Sequence, residues 1–399
     1  MARAWFYIGS TPRWGGWLLL ETQRLFLWRR RFFCACADYS QEKMWHMNRI
    51  HSIINGIVPA DQTAMKAALA RWDTVAKPLN SLGLLEEAVT RIAGACGSPD
   101  VDIRKRAVVA MCADNGVVAE GVTQSGQEVT AIVTENMSRG VSSVCCMSRI
   151  AGADVVPVDI GVAVPVSGER ILQRNVRRGT ADFAVGPAMT REECERAILT
   201  GIGIVEELKE QGYRLLATGE MGIGNTTTSA ALVSVFLDVE PETVTGRGAG
   251  LTSAGLSRKV DAIRRGILVN HPDRSDVLDV LSKVGGLDIA GLVGVFLGGA
   301  LCHVPVLIDG IISSVAALAA VRLCPAAADY MLATHVSGEP AGQMVLDALG
   351  LKPFLHAGMC LGEGTGAVAS MPLLDMAVSV YRDMSSFADI HIDAYEHLN

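Results

Sequence analysis

The segment that decides the fold is residues 213–228, YRLLATGEMGIGNTTT. Its first seven residues form a short apolar run that predicts a β-strand, and the glycines that follow predict a tight turn that opens a helix. Backbone N–H groups at such a helix start can converge on an anion. The segment lacks the lysine of an ATP-binding loop and the glycine spacing of a dinucleotide-binding loop. A phosphate cradle and a plain turn capped by Asn225 or Thr226 are equally open interpretations.

Two further apolar runs end in the same way. Residues 107–113 lead into Asp114-Asn115-Gly116, and residues 304–308 lead into Asp309-Gly310. Short apolar strands that alternate with longer helices predict βα units and a parallel sheet. The acids would then share the carboxyl edge of the sheet, where ligands bind. Turns also favour Asp and Gly, so each acid alone is more typical of a structural role than of a catalytic one. Only the recurrence of acids at the ends of three strands indicates a site.

Other segments supply further candidate residues. In residues 361–366, LGEGTG, flanking glycines let the backbone approach a ligand while the Glu363 carboxylate projects into the site. Residues 246–250, GRGAG, with Lys259 a short way on, and residues 335–339, HVSGE, suit an anionic substrate. Basic residues of this kind are more often solvated surface charges than ligands, so none of them is decisive alone.

Composition excludes several classes of protein. The chain has 399 residues and a net charge of -7, which argues against a nucleic-acid surface. Its ten cysteines form no C-x-x-C pair, so neither a metal site nor a disulfide framework is indicated, and free thiols in a cytoplasmic enzyme are expected. The uncharged run 289–308 contains Gly298-Gly299, His303 and Pro305, and therefore predicts a buried helix followed by a buried strand, with no membrane span.

The two halves of the N-terminal region differ. Residues 1–43 are rich in Trp and Arg and contain no acid before Glu21, which fits either a transit peptide or an over-extended start. We favour the second interpretation, with Met44 or Met47 as initiator, and expect this extension to lie outside the fold. Residues 47–98 predict helices separated by a loop at 77–83.

Seven segments occur in a characteristic order along the chain: residues 81–83 (SLG), 111–116 (MCADNG), 136–140 (NMSRG), 184–189 (AVGPAM), 219–227 (GEMGIGNTT), 281–286 (LSKVGG) and 361–366 (LGEGTG). Collinear segments in order are far more specific than one glycine loop. Together they resemble one family, the nicotinate-nucleotide-dimethylbenzimidazole phosphoribosyltransferases of the cobalamin nucleotide-loop pathway. The resemblance covers nearly everything from Met47 to the end.

The resemblance implies an α/β fold with a Rossmann-like parallel sheet flanked by helices and a smaller helical domain built from both chain ends. The implied boundaries are 44–98 plus about 374–399 for the small domain and 99–373 for the large catalytic domain. It also implies a homodimer whose active site, at the carboxyl edge of the sheet, is closed in part by the partner subunit.

The family's site residues are carried over by matching position. Glu363 matches the catalytic base, and Glu220 matches a second carboxylate beside it. The implied substrate-binding residues are Gly222, Lys259 and Ser337 at the phosphate, Asp309 and Gly310 beside the nucleotide, Ser125 lining the base pocket, and Asn225 and Gly364 in the two glycine loops.

The implied reaction moves the 5-phosphoribosyl group of nicotinate mononucleotide to 5,6-dimethylbenzimidazole, without metal or cofactor. Two departures from the family pattern matter: Leu79-Asn80 replaces Pro-Gly, and Val133 stands where some members have Gln. The second leaves the acceptor open, so a purine or phenolic base is an alternative. A non-catalytic nucleotide-binding protein on the same fold is another, although two carboxylates add nothing to the binding of an anion.

Overall fold

The structure, a computed structural model, describes residues 49–397. The predicted extension 1–43 and both candidate initiators, Met44 and Met47, lie outside the described residues. From Ile50 onward the chain forms one compact unit.

The centre of the fold is a six-stranded sheet in which every neighbouring pair is parallel. The strand order is β3-β2-β1-β4-β5-β6, so the direction of winding reverses between β1 and β4. In an open α/β sheet, ligands bind outside the carboxyl ends of the strands at such a reversal. The predicted Rossmann-like sheet is therefore confirmed. The strands are β1 (Arg106–Ala113), β2 (Asp154–Gly161), β3 (Leu172–Gln173), β4 (Leu215–Met221), β5 (Val306–Ile308) and β6 (Met331–Ala333).

Strand β4 differs in its bounds from the predicted strand 213–219. It begins at Leu215 and continues through Glu220 to Met221, because its ladder with β1 extends to the pair Cys112 and Met221. Every residue of β1 is buried, as expected for a central strand covered on both faces. Glu220 is therefore held by the sheet itself rather than by the turn after it.

Helices cover both faces of the sheet. The predicted run 289–308 is confirmed as a buried helix followed by strand β5, and Thr190 and Glu193 form a capping box at the start of the helix Arg191–Glu210. The helices are residues 49–56, α1 (Gln62–Thr74), α2 (Leu84–Cys96), α3 (Glu128–Arg139), α4 (Ser143–Ala151), α5 (Arg191–Glu210), α6 (Asn225–Leu237), α7 (Pro241–Val244), α8 (Ser253–Asn270), α9 (Val277–Val284), α10 (Leu287–Leu301), α11 (Ile311–Leu323), α12 (Gly342–Leu349) and α13 (Thr365–Asp383), with 3-10 turns at Gly116–Glu120 and Pro325–Tyr330.

The N-terminal helices pack against the C-terminal segment. The rings of Trp72 and Tyr381 lie 4.9 Å apart, and the Ala76 N–H donates to the Ser385 carbonyl at 3.0 Å. In the loop before α2, Asn80 has a φ of 55°, the left-handed conformation expected of the residue that replaces glycine. The chain ends thus meet, while the division into a small and a large domain stays a prediction.

Three properties of residues 49–397 bear on the class of protein. None of their helices is long and apolar enough to cross a bilayer. No group of three or more His, Cys, Asp or Glu side chains among them is arranged to hold a metal ion. The cysteines in this range are free thiols.

Candidate active site

A cavity of about 550 Å³ opens at the carboxyl edge of the sheet, beside the reversal between β1 and β4. This volume is typical of sites for small molecules. Its walls come from the ends of β4 and β5, the start of α6, and the loops around residues 122–125, 246–251, 335–339 and 360–363. The segments singled out in the sequence for their glycines therefore face one another across a single space.

Glu220 is a buried carboxyl group on the cavity wall. Burial, reinforced by the nearby Asp288 carboxylate, raises its pKa to about 8. The Asn225 side chain opposes this shift, because its Nδ2 donates a hydrogen bond to Glu220 Oε2. Asn225 is the first residue of α6 and not its cap; the cap is Gly224, whose φ of 95° gives it the left-handed backbone of the turn. The interpretation of a turn capped by Asn225 or Thr226 is wrong.

Glu363 lies in a strained segment of the cavity wall, next to the loop that carries Glu220. Gly362, Glu363 and Gly364 have φ values of 86°, 60° and 94°, so three consecutive residues adopt the left-handed region. For a residue with a side chain, this conformation persists only where the surrounding structure enforces it. The Glu363 carboxylate lines the cavity, and its Oε2 accepts a hydrogen bond from the Val144 N–H at 3.0 Å.

Two glycines allow the loops that carry Glu220 and Glu363 to meet. A Cβ on Gly219 would lie 2.4 Å from the Glu363 carbonyl oxygen, and a Cβ on Gly362 would lie 2.3 Å from Glu220 Oε1. Neither distance is compatible with a side chain. The absence of a Cβ at both positions is what brings the two carboxylates to the same cavity.

Asp309 has a different role from the other carboxylates. It follows β5 and is buried, and its two oxygens accept backbone N–H groups from Gly366 at 2.8 Å, Ala367 at 3.0 Å and Gly364 at 3.2 Å. Burial raises the pKa of Asp309, while these bonds favour its charged form. Asp309 thus anchors the start of α13 and the loop that carries Glu363. Gly364 is not part of the cavity wall, because it faces this anchor.

Lys259 brings a buried positive charge to the cavity. Its Nζ donates to Thr226 Oγ1 at 2.7 Å and to the Gly246 carbonyl at 3.1 Å, and it forms no ion pair with any residue that the structure describes. Burial lowers its pKa to about 8. The nearby Glu339 carboxylate opposes this shift in pKa without forming an ion pair with Lys259. A buried cation outside an ion pair is unfavourable, and an anionic ligand would relieve that cost.

The remaining predicted residues have simpler surroundings. Gly222, Gly310, Ser337 and Ser125 all line the cavity, and Ser337 Oγ accepts the Glu339 N–H at 3.4 Å. A Cβ on Gly222 would lie 2.5 Å from the Ala113 carbonyl oxygen, so the close approach of two strand ends requires glycine there.

Not every predicted strand-end acid reaches the cavity. Asp114 lies outside it and accepts the Ala163 N–H at 2.8 Å, which makes it a structural residue of the neighbouring loop. At the cavity mouth, Gln124 donates through Nε2 to the Gly250 carbonyl and so links the loops on its two sides. That link joins segments more than a hundred residues apart, and no local sequence pattern indicates it.

The chain is similar to proteins of known family. A family model described as phosphoribosyltransferase matches residues 57–392. The nicotinate-nucleotide-dimethylbenzimidazole phosphoribosyltransferase of Acetivibrio thermocellus is 48% identical over 326 residues, which cover 82% of this chain and 93% of that protein. The Escherichia coli K12 enzyme of the same name is 42% identical and covers 87% of this chain and 97% of its own length. This chain belongs to that family.

The crystal structure of the Thermus thermophilus member supports the same assignment. It is 39% identical, has a TM-score of 0.79, and covers 84% of this phosphoribosyltransferase and 100% of its own chain. The family membership predicted from the sequence segments is thereby confirmed. So are the α/β fold and the classification of the chain as a pentosyltransferase enzyme.

Sequence reasoning about this phosphoribosyltransferase missed one residue of the site. Asp288 is fully buried at the start of α10, and its Oδ2 accepts the Asn225 side-chain amide at 3.2 Å. Burial raises its pKa to about 6. A usable signal existed, because Asp288 is the charged residue that opens an otherwise uncharged apolar helix.

Proposed function

We propose that this enzyme transfers the 5-phosphoribosyl group of nicotinate mononucleotide to 5,6-dimethylbenzimidazole, giving α-ribazole 5'-phosphate and nicotinate in cobalamin biosynthesis. The observation that carries the proposal is the charge arrangement of the cavity. Lys259, buried and in no ion pair among residues 49–397, shares it with the carboxyl groups of Glu220 and Glu363. Such a cavity suits a substrate that has an anionic phosphate and a reaction centre that becomes positive.

The leaving group explains why the site needs no general acid. Nicotinate mononucleotide holds its pyridine ring as a cationic N-glycoside, so nicotinate departs as a neutral ring nitrogen without being protonated. The attacking azole, however, must lose its N–H proton as its other nitrogen bonds to C1'. We assign that proton to Glu363, and a base in this position typically contributes about 10²- to 10⁴-fold to the rate.

Glu220 has a different part in the proposed mechanism. Attack on the face opposite nicotinate converts the β-nucleotide into the α-ribotide through a transition state with oxocarbenium character. The Glu220 carboxylate would stabilise this positive charge in its ionised form, as carboxylates do in glycoside chemistry. In the free enzyme that form predominates only above the Glu220 pKa of about 8. Asp309 is less suited to this task, because its oxygens already accept three backbone N–H groups.

The phosphate is assigned to the end of the cavity that contains Lys259. The start of α6 lies there, and its residue Thr226 already contacts the Lys259 ammonium at 2.7 Å. Gly222 and Ser337 are the further phosphate contacts that we propose. On binding, the Lys259 ammonium would donate to the phosphate in place of its two neutral acceptors, Thr226 Oγ1 and the Gly246 carbonyl. A hydrogen bond to a charged acceptor is stronger than one to a neutral acceptor.

The acceptor base is assigned to the apolar part of the wall near Ser125. Val133, Met221 and Ile223 line this part of the cavity. Val133 offers no hydrogen-bonding group where some family members have Gln. An apolar wall favours the methyl groups of dimethylbenzimidazole over the polar edge of a purine, which would leave its nitrogen atoms without partners.

Product analysis tests the proposal. The purified enzyme is incubated with nicotinate mononucleotide and, in parallel, dimethylbenzimidazole, adenine or a phenol, and the products are identified by mass spectrometry. We expect α-ribazole 5'-phosphate as the main product and little transfer to the other bases. A preference for adenine or the phenol would reassign the acceptor, and the absence of transfer to every base would refute the activity.

Two further properties stay predictions. We expect a homodimer in which the partner subunit covers part of the cavity, and the 59% exposure of Leu361 on the cavity wall is consistent with such a cover. Light scattering in solution measures the oligomeric state directly. A cytoplasmic location is likewise expected and can be tested by cell fractionation.

A further inference from the structure

Two of the sequence segments that carry the family resemblance have no part in the proposed chemistry. Residues 281–286 lead into α10, and the segment 111–116 ends in Asp114-Asn115-Gly116. Both end behind the cavity wall that carries Glu220. Asp288, two residues beyond the first segment, is fully buried there and is not part of the cavity wall. A buried carboxyl group beside a site, with no contact to the ligand space, calls for an explanation.

One amide group connects Asp288 to Glu220. The Asn225 Nδ2 donates to Asp288 Oδ2 at 3.2 Å and also donates to Glu220 Oε2. Asp288 Oδ1 is occupied by the N–H of Ile289 at 3.0 Å. Since the amide nitrogen has two hydrogens, each carboxyl group can accept one of them, and together they define the plane of the Asn225 side chain.

The Asp288 carboxylate cannot easily leave this position. A Cβ on Gly222 would lie 2.5 Å from Asp288 Oδ2, and a Cβ on Gly286 would lie 2.4 Å from Asp288 Oδ1. The carboxylate thus packs between two glycines. The fully buried Asn115 side chain closes a third side, 2.5 Å from the same Gly286 Cβ position.

From this geometry we propose that Asp288 is a positioning residue for Glu220. It holds the Asn225 amide so that one N–H stays directed at Glu220 Oε2, and this fixes the orientation of the Glu220 carboxyl group toward the cavity. The inference rests on the proposed function, because it assumes that Glu220 acts on the ribosyl centre. Asp288 itself touches no substrate.

The groups around Glu220 determine how this arrangement responds to pH. Asp288 on α10, Asp309 after β5 and Glu363 before α13 all disfavour its ionisation, and the Cys112 thiol lies on the neighbouring strand β1. Asn225 has the opposite effect, because its N–H stabilises the ionised carboxylate. Loss of the Asp288 charge and loss of the Asn225 amide should therefore shift the Glu220 titration in opposite directions.

The first experiment measures kcat/KM for nicotinate mononucleotide against pH, since this profile reports the ionisations of the free enzyme. In Asp288→Asn we expect the rising limb assigned to Glu220 to move to lower pH, and in Asn225→Ala to higher pH. We also expect kcat of Asp288→Asn to fall by about tenfold, since small misplacements of a reacting group have effects of this order. Binding of the nucleotide should stay within about twofold, because the phosphate contacts are unchanged.

A matched control and a second variant accompany this experiment. Asp279→Asn makes the same chemical change on the neighbouring helix α9, where Asp279 pairs with Lys283 at 2.8 Å, and should leave kcat and the pH profile unchanged. Gly286→Ala pushes on the same Asp288 carboxylate without removing it, so it should lower kcat if the position of that carboxylate matters. If Asp288→Asn does not fold, Gly286→Ala still tests whether the position of the Asp288 carboxylate matters.

The second experiment tests the route of the effect. In a Glu220→Gln background, Asp288→Asn should cause no further loss of kcat, because the residue that it positions is already neutral. An equal loss in both backgrounds, or a folded Asp288→Asn enzyme with the wild-type kcat and an unmoved limb, overturns the positioning role. The wild-type enzyme separates the two proposals. If it forms no α-ribotide, the proposed function is refuted. If it turns over normally and the Asp288→Asn variant does too, only the positioning role of Asp288 is refuted.

Discussion

The backbone N–H of Val144 donates a hydrogen bond to Oε2 of Glu363 at 3.0 Å. Val144 lies in the first turn of α4, so the carboxylate meets the positive end of that helix. This contact holds one oxygen of the group in place. We therefore assign the azole proton to the other oxygen, Oε1, and expect the orientation of the base to be set before substrate binds.

Glu363→Gln should lower kcat by about 10²-fold or more, because the amide keeps the size and reach of the side chain but cannot accept the azole proton. Binding of nicotinate mononucleotide should largely survive. Steady-state kinetics and calorimetry measure the two effects separately. Glu207→Gln on the exposed face of α5 is the matched control, with unchanged kinetics expected. A larger loss in Glu220→Gln than in Glu363→Gln would transfer the role of base to Glu220.

Lys259→Ala should weaken nucleotide binding by about 1.5–3 kcal/mol, the range of a hydrogen bond to a charged group, while binding of the acceptor base changes little. Because the pKa of Lys259 is lowered to about 8, the ammonium is lost above that pH. The Kd of the wild-type enzyme for the nucleotide should therefore rise above pH 8, and this rise should be absent in Lys259→Ala. Lys283→Ala, which removes an ammonium on α9, should keep the wild-type profile. Equal weakening of both ligands would place Lys259 away from the phosphate.

Gly219→Ala should reduce turnover strongly, because its Cβ would lie 2.4 Å from the Glu363 carbonyl oxygen and must displace that loop or the strand. Gly203→Ala is the matched control: its Cβ meets no atom within 4 Å, and alanine favours the helix in which it lies. Activity and melting temperature of both variants provide the measurement. Normal turnover in Gly219→Ala would mean that the position of the Glu363 loop is not critical.

Glu220→Gln should stabilise the protein more at pH 8 than at pH 5. The ordinary pKa of 4.5 applies to the unfolded chain, whereas the folded value is about 8, so between these values the folded state binds more protons and stability falls as pH rises. Glutamine does not titrate, and its advantage should grow over this interval to about 1 kcal/mol or more. Urea unfolding at the two pH values measures it. An advantage that does not depend on pH would contradict the raised pKa.

A chain that begins at Met44 should fold and turn over normally. The family match begins at residue 57, and residues 1–43 differ in composition from the rest. Circular dichroism and the transfer assay, applied to the shortened and the full chain together, test this expectation. Loss of folding or activity would show that the segment is integral to the enzyme.

The sheet and the set of cavity residues could be predicted because they depend on local patterns. Apolar runs that end in acids at 114, 220 and 309 indicated parallel strands with one common edge, and the glycine loops indicated close backbone approach. The individual roles depend on contacts between distant segments, and local patterns do not encode these. Asp309 accepts the backbone N–H of Gly366 at the start of α13, more than fifty positions away along the chain. Asp114 accepts the backbone N–H of Ala163 in a neighbouring loop.

The bounds of β4 and the role of Asp288 illustrate the same limit. The strand extends to Met221 because β1 provides a partner there, which overrides the turn preference of the glycines that follow. The local sequence marks Asp288 as the charged residue of an otherwise uncharged helix, but it does not indicate what the side chain contacts. Asp288 reaches Asn225 because the first turn of α10 approaches the first residue of α6, and no single-sequence pattern reports that approach.

The walls of the cavity span residues 122 to 363 and combine segments that lie far apart in the chain. A nascent polypeptide that has not yet reached Glu363 therefore lacks a complete binding site, even when most of its strands have been synthesised. A ligand stabilises only the state that binds it. Nicotinate mononucleotide should consequently protect the finished enzyme against degradation, while prematurely terminated chains gain no such protection and stay open to proteolysis.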